Sequence, residues 1–476
     1  MAEPNQKRRW LILAICCLSL FLVSMDNTIV NLALPAIQRD FGARVSSLQW
    51  TIDAYSLVVA SLLMLSGSTA DRVGRRRVFQ TGLAVFTLGS LLCSIAPSVT
   101  LLIVFRMVQA VGGSMLNPVA MSIVTNTFTD ARERAKAIGI WAGVFGVSMA
   151  LGPVIGGALV DTVGWRAIFW INVPIGVAAL VLAAVFVPES KASRARRVDP
   201  VGQALIFVIL GVLTYGIIEA PRAGWLSVQT LGCFAIALIA LIILVPYEKR
   251  REEPLIDPRF FTSAPFSGAT LIAVSSFACM GGFLFLNAIY LQNVRGFSPL
   301  HAGLLTLPTA AMIFGLAPVA GRIVAGWGPR LPLMTGGAGI LVSGLLLTRL
   351  SADTSLGYLI LTYLVFGIGF GMVNPPITNT AVSGMPREQA GVAAAVASTS
   401  RQVGGALGVA VLGAVVTSRV QGPIQTGFAQ ASHVAWWIMA GCGIAVVTLG
   451  FATTGHWARR TAARFVHEEQ VAVSTR

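Results

Sequence analysis

The stretch Gly67-Ser68-Thr69-Ala70-Asp71-Arg72-Val73-Gly74-Arg75-Arg76-Arg77 decides how this chain is read. It sets one carboxylate among four guanidinium groups, and apolar runs at 50–68 and 78–96 flank it. Each run has about the 20 residues that a helix needs to cross a bilayer. A polar knot between two such runs is a connection at a membrane edge. Working outward, the same alternation of apolar run and polar break repeats along the chain. The expected spans are 10–31, 50–68, 78–96, 100–123, 136–160, 166–187, 200–219, 226–246, 265–291, 301–321, 331–350, 355–377, 390–416 and 432–454. Composition agrees: of 476 residues 55% are hydrophobic and 11% charged, against about 25% charged in soluble domains, and the mean hydropathy is +0.78. A soluble globular fold is excluded. The expected fold class is all-α, a polytopic membrane protein with 14 transmembrane helices arranged as two six-helix bundles plus an inserted helix pair.

The formal charge of +15 resembles the footprint of a nucleic-acid binder. Here the basic residues sit in short loops, with no basic helix face and no interleaved aromatics, so no nucleic-acid partner is expected. They report orientation instead. With the N-terminus inside, the inner segments hold 25 Lys and Arg and the outer segments 7, which leaves Arg106 and Arg401 within spans. The inner set includes Lys7, Arg8, Arg9, the arginines of the opening stretch, Arg194, Arg196, Arg197, Arg387 and Arg476. The positive-inside rule then places both termini in the cytoplasm of a multi-pass plasma-membrane protein. Thirty Arg against four Lys point to a GC-rich, bacterial genome. The Lys7-Arg8-Arg9 start imitates a signal peptide, but Leu34-Pro35-Ala36 is a poor cleavage site and the run is long enough to span, so it reads as a retained first helix. The six cysteines fall in apolar runs and read as small core residues, with no metal site and no cofactor expected.

The expected domains are an N-terminal six-helix bundle at 1–190, a linker with two extra helices at 191–260, a C-terminal six-helix bundle at 261–456 and a cytoplasmic tail at 457–476. An internal echo supports the duplication: Gly67 and Gly74 have counterparts in Gly321 and Gly328 at the same separation, although Ala325 stands where Asp71 does. Duplicated bundles with a site at their interface are a common transporter plan.

Three stretches carry mechanics. In the opening one, Gly67 and Gly74 are placed where a tight turn needs unusual backbone angles. Asp71, Arg72 and Arg75 are the candidate conformational latch between helix ends, plain positive-inside topology being the alternative. In the fourth span, Arg106 stands among apolar residues ahead of Gln109 and needs an acceptor or a watery cavity. In the fifth, Gly139, Gly143 and Gly146 lead to Leu151-Gly152-Pro153-Val154-Ile155-Gly156-Gly157, where small residues permit close helix approach and Pro153 bends the helix.

These stretches resemble motifs A, B and C of the major facilitator superfamily, the last being its antiporter signature. Met25-Asp26-Asn27-Thr28-Ile29-Val30-Asn31-Leu32-Ala33-Leu34-Pro35 resembles the first-span motif of its fourteen-helix drug/proton antiporter family. So do Gly164-Trp165-Arg166, Phe169-Trp170-Ile171-Asn172 with Pro174, and Arg401-Gln402-Val403-Gly404-Gly405. One departure is Ala110, where motif B usually has glycine. The acid in Gln49-Trp50-Thr51-Ile52-Asp53-Ala54-Tyr55 resembles exporters of quaternary ammonium compounds and of antibiotics.

A carboxylate at membrane depth costs about 2.5–3.5 kcal/mol on insertion scales, so the acids of the spans are functional candidates. Asp26 is the expected proton switch with Arg106 as its partner, a purely structural tie being the alternative. Asp53 is expected near the outer mouth, attracting a cationic substrate or serving as a second proton site; the alternative is a carboxylate favoured by a helix N-terminus. Glu219 is expected to be interfacial. Met25, Trp50, Tyr55, Phe277, Phe283, Phe285, Tyr290 and Met312 could line an apolar cavity or simply pack, with Asn287, Asn374 and Asn379 as polar contacts. The resemblance implies proton-coupled efflux of lipophilic, cationic drugs or secondary metabolites across the lipid bilayer, with protons as the coupled partner; a monomer is favoured, and the sequence does not fix the oligomeric state. The alternatives are a metabolite uniporter or symporter on the same fold, and an intramembrane enzyme or lipid-handling protein. No HExxH, nucleophile elbow or P-loop is present, so no enzyme activity is expected.

Overall fold

The computed structural model describes residues 6–192, 199–251, 254–383, 385 and 389–474. Of the arginines that set the orientation, Arg194, Arg196, Arg197, Arg387 and Arg476 lie outside the described residues. Among the described residues, seventeen α-helices follow in chain order. They are α1 (Gln6–Phe41), α2 (Val45–Val73), α3 (Arg75–Ser94), α4 (Val99–Thr127), α5 (Ala131–Thr162), α6 (Ala167–Trp170), α7 (Asn172–Phe186), α8 (Pro200–Ala223) and α9 (Val228–Lys249). Then come α10 (Ala264–Ile289), α11 (Pro299–Leu305), α12 (Leu307–Trp327), α13 (Arg330–Leu347), α14 (Leu356–Ser383), α15 (Ala390–Thr417), α16 (Ile424–Thr453) and α17 (His456–Ser474). Among the described residues, 14 helical segments are long and apolar enough to cross a membrane. Each coincides with one span expected from the sequence, α6 with α7 and α11 with α12 making single spans.

The helices overrun the apolar runs. The first has 36 residues, about 54 Å at 1.5 Å per residue, against a hydrocarbon core of about 30 Å. Hydropathy reports where the bilayer lies, not where hydrogen bonding stops. Asp40, Asp71, Asp161 and Glu248, expected in loops, therefore lie in α1, α2, α5 and α9. The opening stretch is likewise no extended loop. Residues up to Val73 remain helical, and Gly74 alone breaks the chain, at φ 127°. The expectation for Gly67 is corrected: it is a helical residue with open space at its Cβ position, because glycine is tolerated in a helix and its presence alone does not mark a turn. Gly321 is helical too, and Gly328 ends α12 at φ 85°.

The chain divides into two compact units, Met1–Gln203 with Phe297–Leu304, and Ala204–Gly296 with Leu305–Arg476. In the first, α1 packs along α5, α2 along α4, α3 along α4 and α7. Its core holds Ile12, Leu22, Phe79, Phe86, Leu116 and Phe128. In the second, α10 packs along α15, α12 along α14, α13 along α14 and α16. The two pairing patterns match helix for helix, α10 with α1, α12 with α2, α13 with α3, α14 with α4, α15 with α5 and α16 with α7. The added helices α8 and α9 turn at Gly224, φ 94°, and leave Phe207, Ile236, Leu238, Ile239, Ile242 and Ile243 exposed, as lipid-facing side chains are. The last helix is docked: Ala458 and Phe465 are buried, Phe465 meets Phe260 edge-on with centroids 5.9 Å apart, and the Thr461 hydroxyl accepts from the Ala264 amide at 3.0 Å.

Candidate functional site

The first unit holds a sealed polar network centred on Asp26, which comes from the middle of α1. Arg106 of α4 donates from Nη1 to Asp26 Oδ2 at 2.5 Å, and both side chains are buried, at 1% and 0% exposure. The same Nη1 reaches Gln109 Oε1 at 2.6 Å, and Nε donates to the Thr51 carbonyl of α2 at 3.2 Å. Asp26 Oδ1 accepts from Gln109 Nε2 and from Asn172 Nδ2 of α7, each at 2.9 Å. Those two amides also converge on the Ser90 hydroxyl of α3, at 2.6 and 3.1 Å. The guanidinium carbon lies 4.2 Å from the Tyr55 ring centroid and 5.8 Å from that of Phe169, a cation–π arrangement. Three spans thus meet at the Asp26 carboxylate, and five share its network.

Tight crossings make this possible. A Cβ on Gly112 would stand 2.3 Å from the Phe86 nitrogen, and one on Gly89 2.5 Å from the Gln109 Cα. Only glycine lets α3 and α4 approach so closely, and that approach delivers Ser90 to Gln109. Gly113 clears room for the Tyr55 hydroxyl, which a Cβ there would meet at 2.6 Å. On α5, a Cβ at Gly152 would meet Thr28 Oγ1 at 2.0 Å and one at Gly156 would meet Ile29 at 2.3 Å. The residues flanking Asp26 in α1 are therefore seated on this glycine face. Gly157 abuts the Pro299 carbonyl, and Gly303 abuts that of Pro153. Gly139 and Gly143 have open space, so these two positions take no part in the close approach seen at Gly152 and Gly156.

Asp53 is fully buried, and neither carboxylate oxygen has a hydrogen-bond partner. It is the ninth residue of α2, more than two turns in. A helix-terminus reading is thereby corrected, since the end effect fades within the first turn. Tyr55 is buried beside it in sequence with its hydroxyl unpartnered.

At the Gly74 turn, Asp71 Oδ1 accepts from Arg75 Nη2 at 2.8 Å and Nε at 3.1 Å. The segment after α7 closes over this turn. Glu189 Oε1 accepts from the Arg76 amide at 3.1 Å, Glu189 Oε2 lies 3.8 Å from Arg77 Nε, and the Arg75 amide donates to the Ser190 carbonyl at 2.9 Å. A Cβ on Gly74 would fall 2.6 Å from Glu189 Oε1. Arg72 projects to the exposed side.

In the second unit, Asn287 is buried and accepts a hydrogen bond from the Tyr363 hydroxyl. Tyr290 is buried and donates to the Ser351 carbonyl at 2.6 Å. Both are occupied by structural contacts. Asn374 is half-buried, and its Oδ1 accepts from Arg401 Nε at 3.2 Å. Asn379 is exposed. Of the aromatic and Met candidates, Trp50, Phe277 and Met312 remain partly open, while Met25, Tyr55, Phe283, Phe285 and Tyr290 are buried.

Comparison with known proteins bears directly on this arrangement. Residues 16–409 match the model of the Major Facilitator Superfamily. The chain belongs to that superfamily. It is 37% identical over 401 residues to the multidrug resistance protein Stp of Mycobacterium tuberculosis, covering 84% of this chain and 74% of Stp. It is 38% identical over 433 residues to the tetracenomycin C resistance and export protein of Streptomyces glaucescens, covering 90% and 80%. Among solved structures, a bacterial homologue of the human lysosomal transporter Spinster, inward-facing and unoccupied, aligns with a TM-score of 0.67 at 17% identity over 97% of this chain and 99% of its own. The resemblance to the fourteen-helix drug-efflux branch stands, and this superfamily member is a multi-pass membrane transporter, not an enzyme.

Within this superfamily fold, sequence reasoning named Asp26 and Arg106 but gave no role to Gln109, Asn172, Ser90 or Glu189. Gln109 and Asn172 lie inside motifs that had been singled out, and Gln109 follows Arg106 by about one helical turn. Glu189 closes a loop from 113 residues away, and nothing local marks it.

Proposed function

We propose that the chain is a proton-coupled efflux antiporter that exports lipophilic drugs or secondary metabolites by alternating access, with both termini in the cytoplasm. The observation that carries this reading is the sealed Asp26 network. An ionised carboxylate accepts from Arg106, Gln109 and Asn172, whereas a protonated one becomes a donor at one oxygen. Proton uptake at this atom would therefore rearrange contacts among α1, α3, α4 and α7 together. That is the local step an antiporter requires. The glycine face of α5 seats α1 at Thr28 and Ile29, so the change at Asp26 has a packed path along which to act. The tetracenomycin C resistance and export protein, 38% identical, supports the direction, and it and the multidrug resistance protein Stp support the substrate class.

Asp53 fits a second role. A buried carboxylate with no protein donor among the described residues is left to be satisfied by a proton or by a cationic group of the substrate. The Asp71–Arg75–Glu189 cluster is proposed as the latch that holds the α2–α3 turn in one state of the cycle.

The test is proton release from proteoliposomes under an imposed pH gradient, on adding cationic and neutral drugs to wild type and Asp26→Asn. Drug-triggered proton movement in wild type, lost in the variant, is expected. Undiminished movement in Asp26→Asn would remove Asp26 from the coupling step. Asp53→Asn is expected to impair cationic drugs more than neutral ones; equal losses would contradict selective attraction.

A further inference from the structure

Arg401 lies near the middle of α15 (Ala390–Thr417), and its guanidinium is permanently charged. A cation at that depth needs an anionic partner or a polar cavity. Among the described residues its partners are all neutral. Nε donates to Asn374 Oδ1 at 3.2 Å, Nη2 donates to the Thr378 hydroxyl, and Nη1 lies 3.5 Å from the Ser398 hydroxyl. Helices α10 and α12 to α16 contain no Asp or Glu at all. A guanidinium carries five N–H donors, and these three contacts use three. Arg401, Asn374, Thr378, Ser398 and Phe277 are each only partly buried, whereas the Arg106 side chain is 1% exposed. Beside it stands an aromatic wall: the Arg401 guanidinium carbon is 5.8 Å from the Phe277 ring centroid, and Phe277 meets Phe370 edge-on at 4.9 Å.

We infer that Arg401, positioned by Asn374 and Thr378 and walled by Phe277, is a receptor for an anionic oxygen group carried on an aromatic substrate: a carboxylate, phenolate or enolate. The unused N–H donors match such a group, which the planar guanidinium fork can take in two parallel hydrogen bonds. The neighbouring rings cover the apolar body that carries it. The inference deepens the export reading and rests on it for transport, and it widens the substrate class: a compound need not be cationic, since the second unit offers a cation where the first offers Asp53.

The test uses the purified full-length protein in detergent micelles near neutral pH, with two probes of one ring system, anthracene-9-carboxylate and its methyl ester. Their Kd values are measured for wild type, Arg401→Gln and Arg401→Lys. Wild type is expected to bind the carboxylate at least about tenfold more tightly than the ester, the scale of one charge-assisted hydrogen bond. Arg401→Gln should lose that preference through weakened carboxylate binding, and Arg401→Lys, which keeps charge but not the fork, should retain part of it. Equal binding of the two probes by wild type, binding of neither, or an intact preference in Arg401→Gln would overturn the inference. The wild-type comparison stands alone should Arg401→Gln fail to fold. No gradient is involved, so absence of proton coupling leaves this result untouched, and absence of the carboxylate preference leaves the antiport reading untouched.

Discussion

Two arginines stand inside membrane-spanning helices of this chain, and their surroundings differ. Arg106 is enclosed: a carboxylate, a glutamine oxygen and a backbone carbonyl accept from it, and two aromatic faces cover it. Arg401 has only neutral partners and is partly open. The two units pair their helices in the same pattern, but the two arginines are not counterparts within it: Arg106 stands on α4, and Arg401 stands on α15, which corresponds to α5. One pairing pattern therefore carries a charge at a different helix in each unit. A closed acid–base pair can change state only by moving a proton internally or breaking apart, whereas an open cation can meet something from outside.

The sharpest way to break this comparison is to make the same substitution in both places. Arg106→Gln leaves Asp26 buried without its cation, and removing one member of a buried pair costs about 3–5 kcal/mol. Arg401→Gln abandons no acid and forfeits neutral hydrogen bonds worth about 1 kcal/mol each. Thermal unfolding in one detergent should show a large loss of Tm for the first and a small one for the second. Similar losses would mean that Arg401 is as integral to its unit as Arg106 is to the first, and the contrast would fail.

The next effect concerns the α5 face that seats α1. Gly152→Ala places a methyl where Thr28 Oγ1 stands, 2.0 Å from the new Cβ, and overpacking of this kind costs about 1–3 kcal/mol. Gly143→Ala enters open space and should be neutral or stabilising by up to about 1 kcal/mol, the helix preference for alanine over glycine. Stability and drug-driven proton release should fall together for Gly152→Ala and not for Gly143→Ala. A Gly152→Ala protein with normal transport would show that α1 and α5 need not be so close in any state that matters.

How much of this was legible beforehand follows from the kind of signal. Fourteen spans were visible because hydropathy is set by the bilayer, a solvent common to every helix. Asp26 and Arg106 were visible because charges are rare at membrane depth. Gln109 and Asn172 were named within motifs but given no work, because an amide acquires a role only from the helix phase that aims it. The phase here is fixed by glycine crossings such as Gly112 on Phe86. Gly67 was misread and Gly74 was not, since sequence shows a glycine but not the φ it adopts. Asn287 and Tyr290 were read as cavity candidates, with packing the alternative for Tyr290, and are bonded to Tyr363 and Ser351, partners 76 and 61 residues away that no local pattern predicts.

The smallest expected effect tests how far the duplication extends at the paired glycine turns. Gly74 and Gly328 both end a helix at positive φ, and each amide donates back four residues, to Ala70 and Val324. The first turn carries Asp71 bonded to Arg75, and the second carries Ala325 and Pro329 at the matching places. Asp71→Ala removes a partly exposed pair of a type worth about 0–1 kcal/mol, and the turn keeps its Glu189 contacts, so a Tm loss of a few degrees at most is expected. Ala325→Asp restores the acid without its partner, because Pro329 carries no charge and Arg330 lies over the Phe451 ring, 4.3 Å from its centroid. It should leave Tm within the spread of ordinary surface changes, about 0.5 kcal/mol. The double change Ala325→Asp with Pro329→Arg rebuilds the pair at the spacing of the first turn. If only the double variant gains stability, the two turns are interchangeable as backbone and differ by their charges alone. If it gains nothing, the pair in the first turn owes its place to the segment from Val187 to Ala192 that covers it, and a latch needs that cover as much as the turn itself.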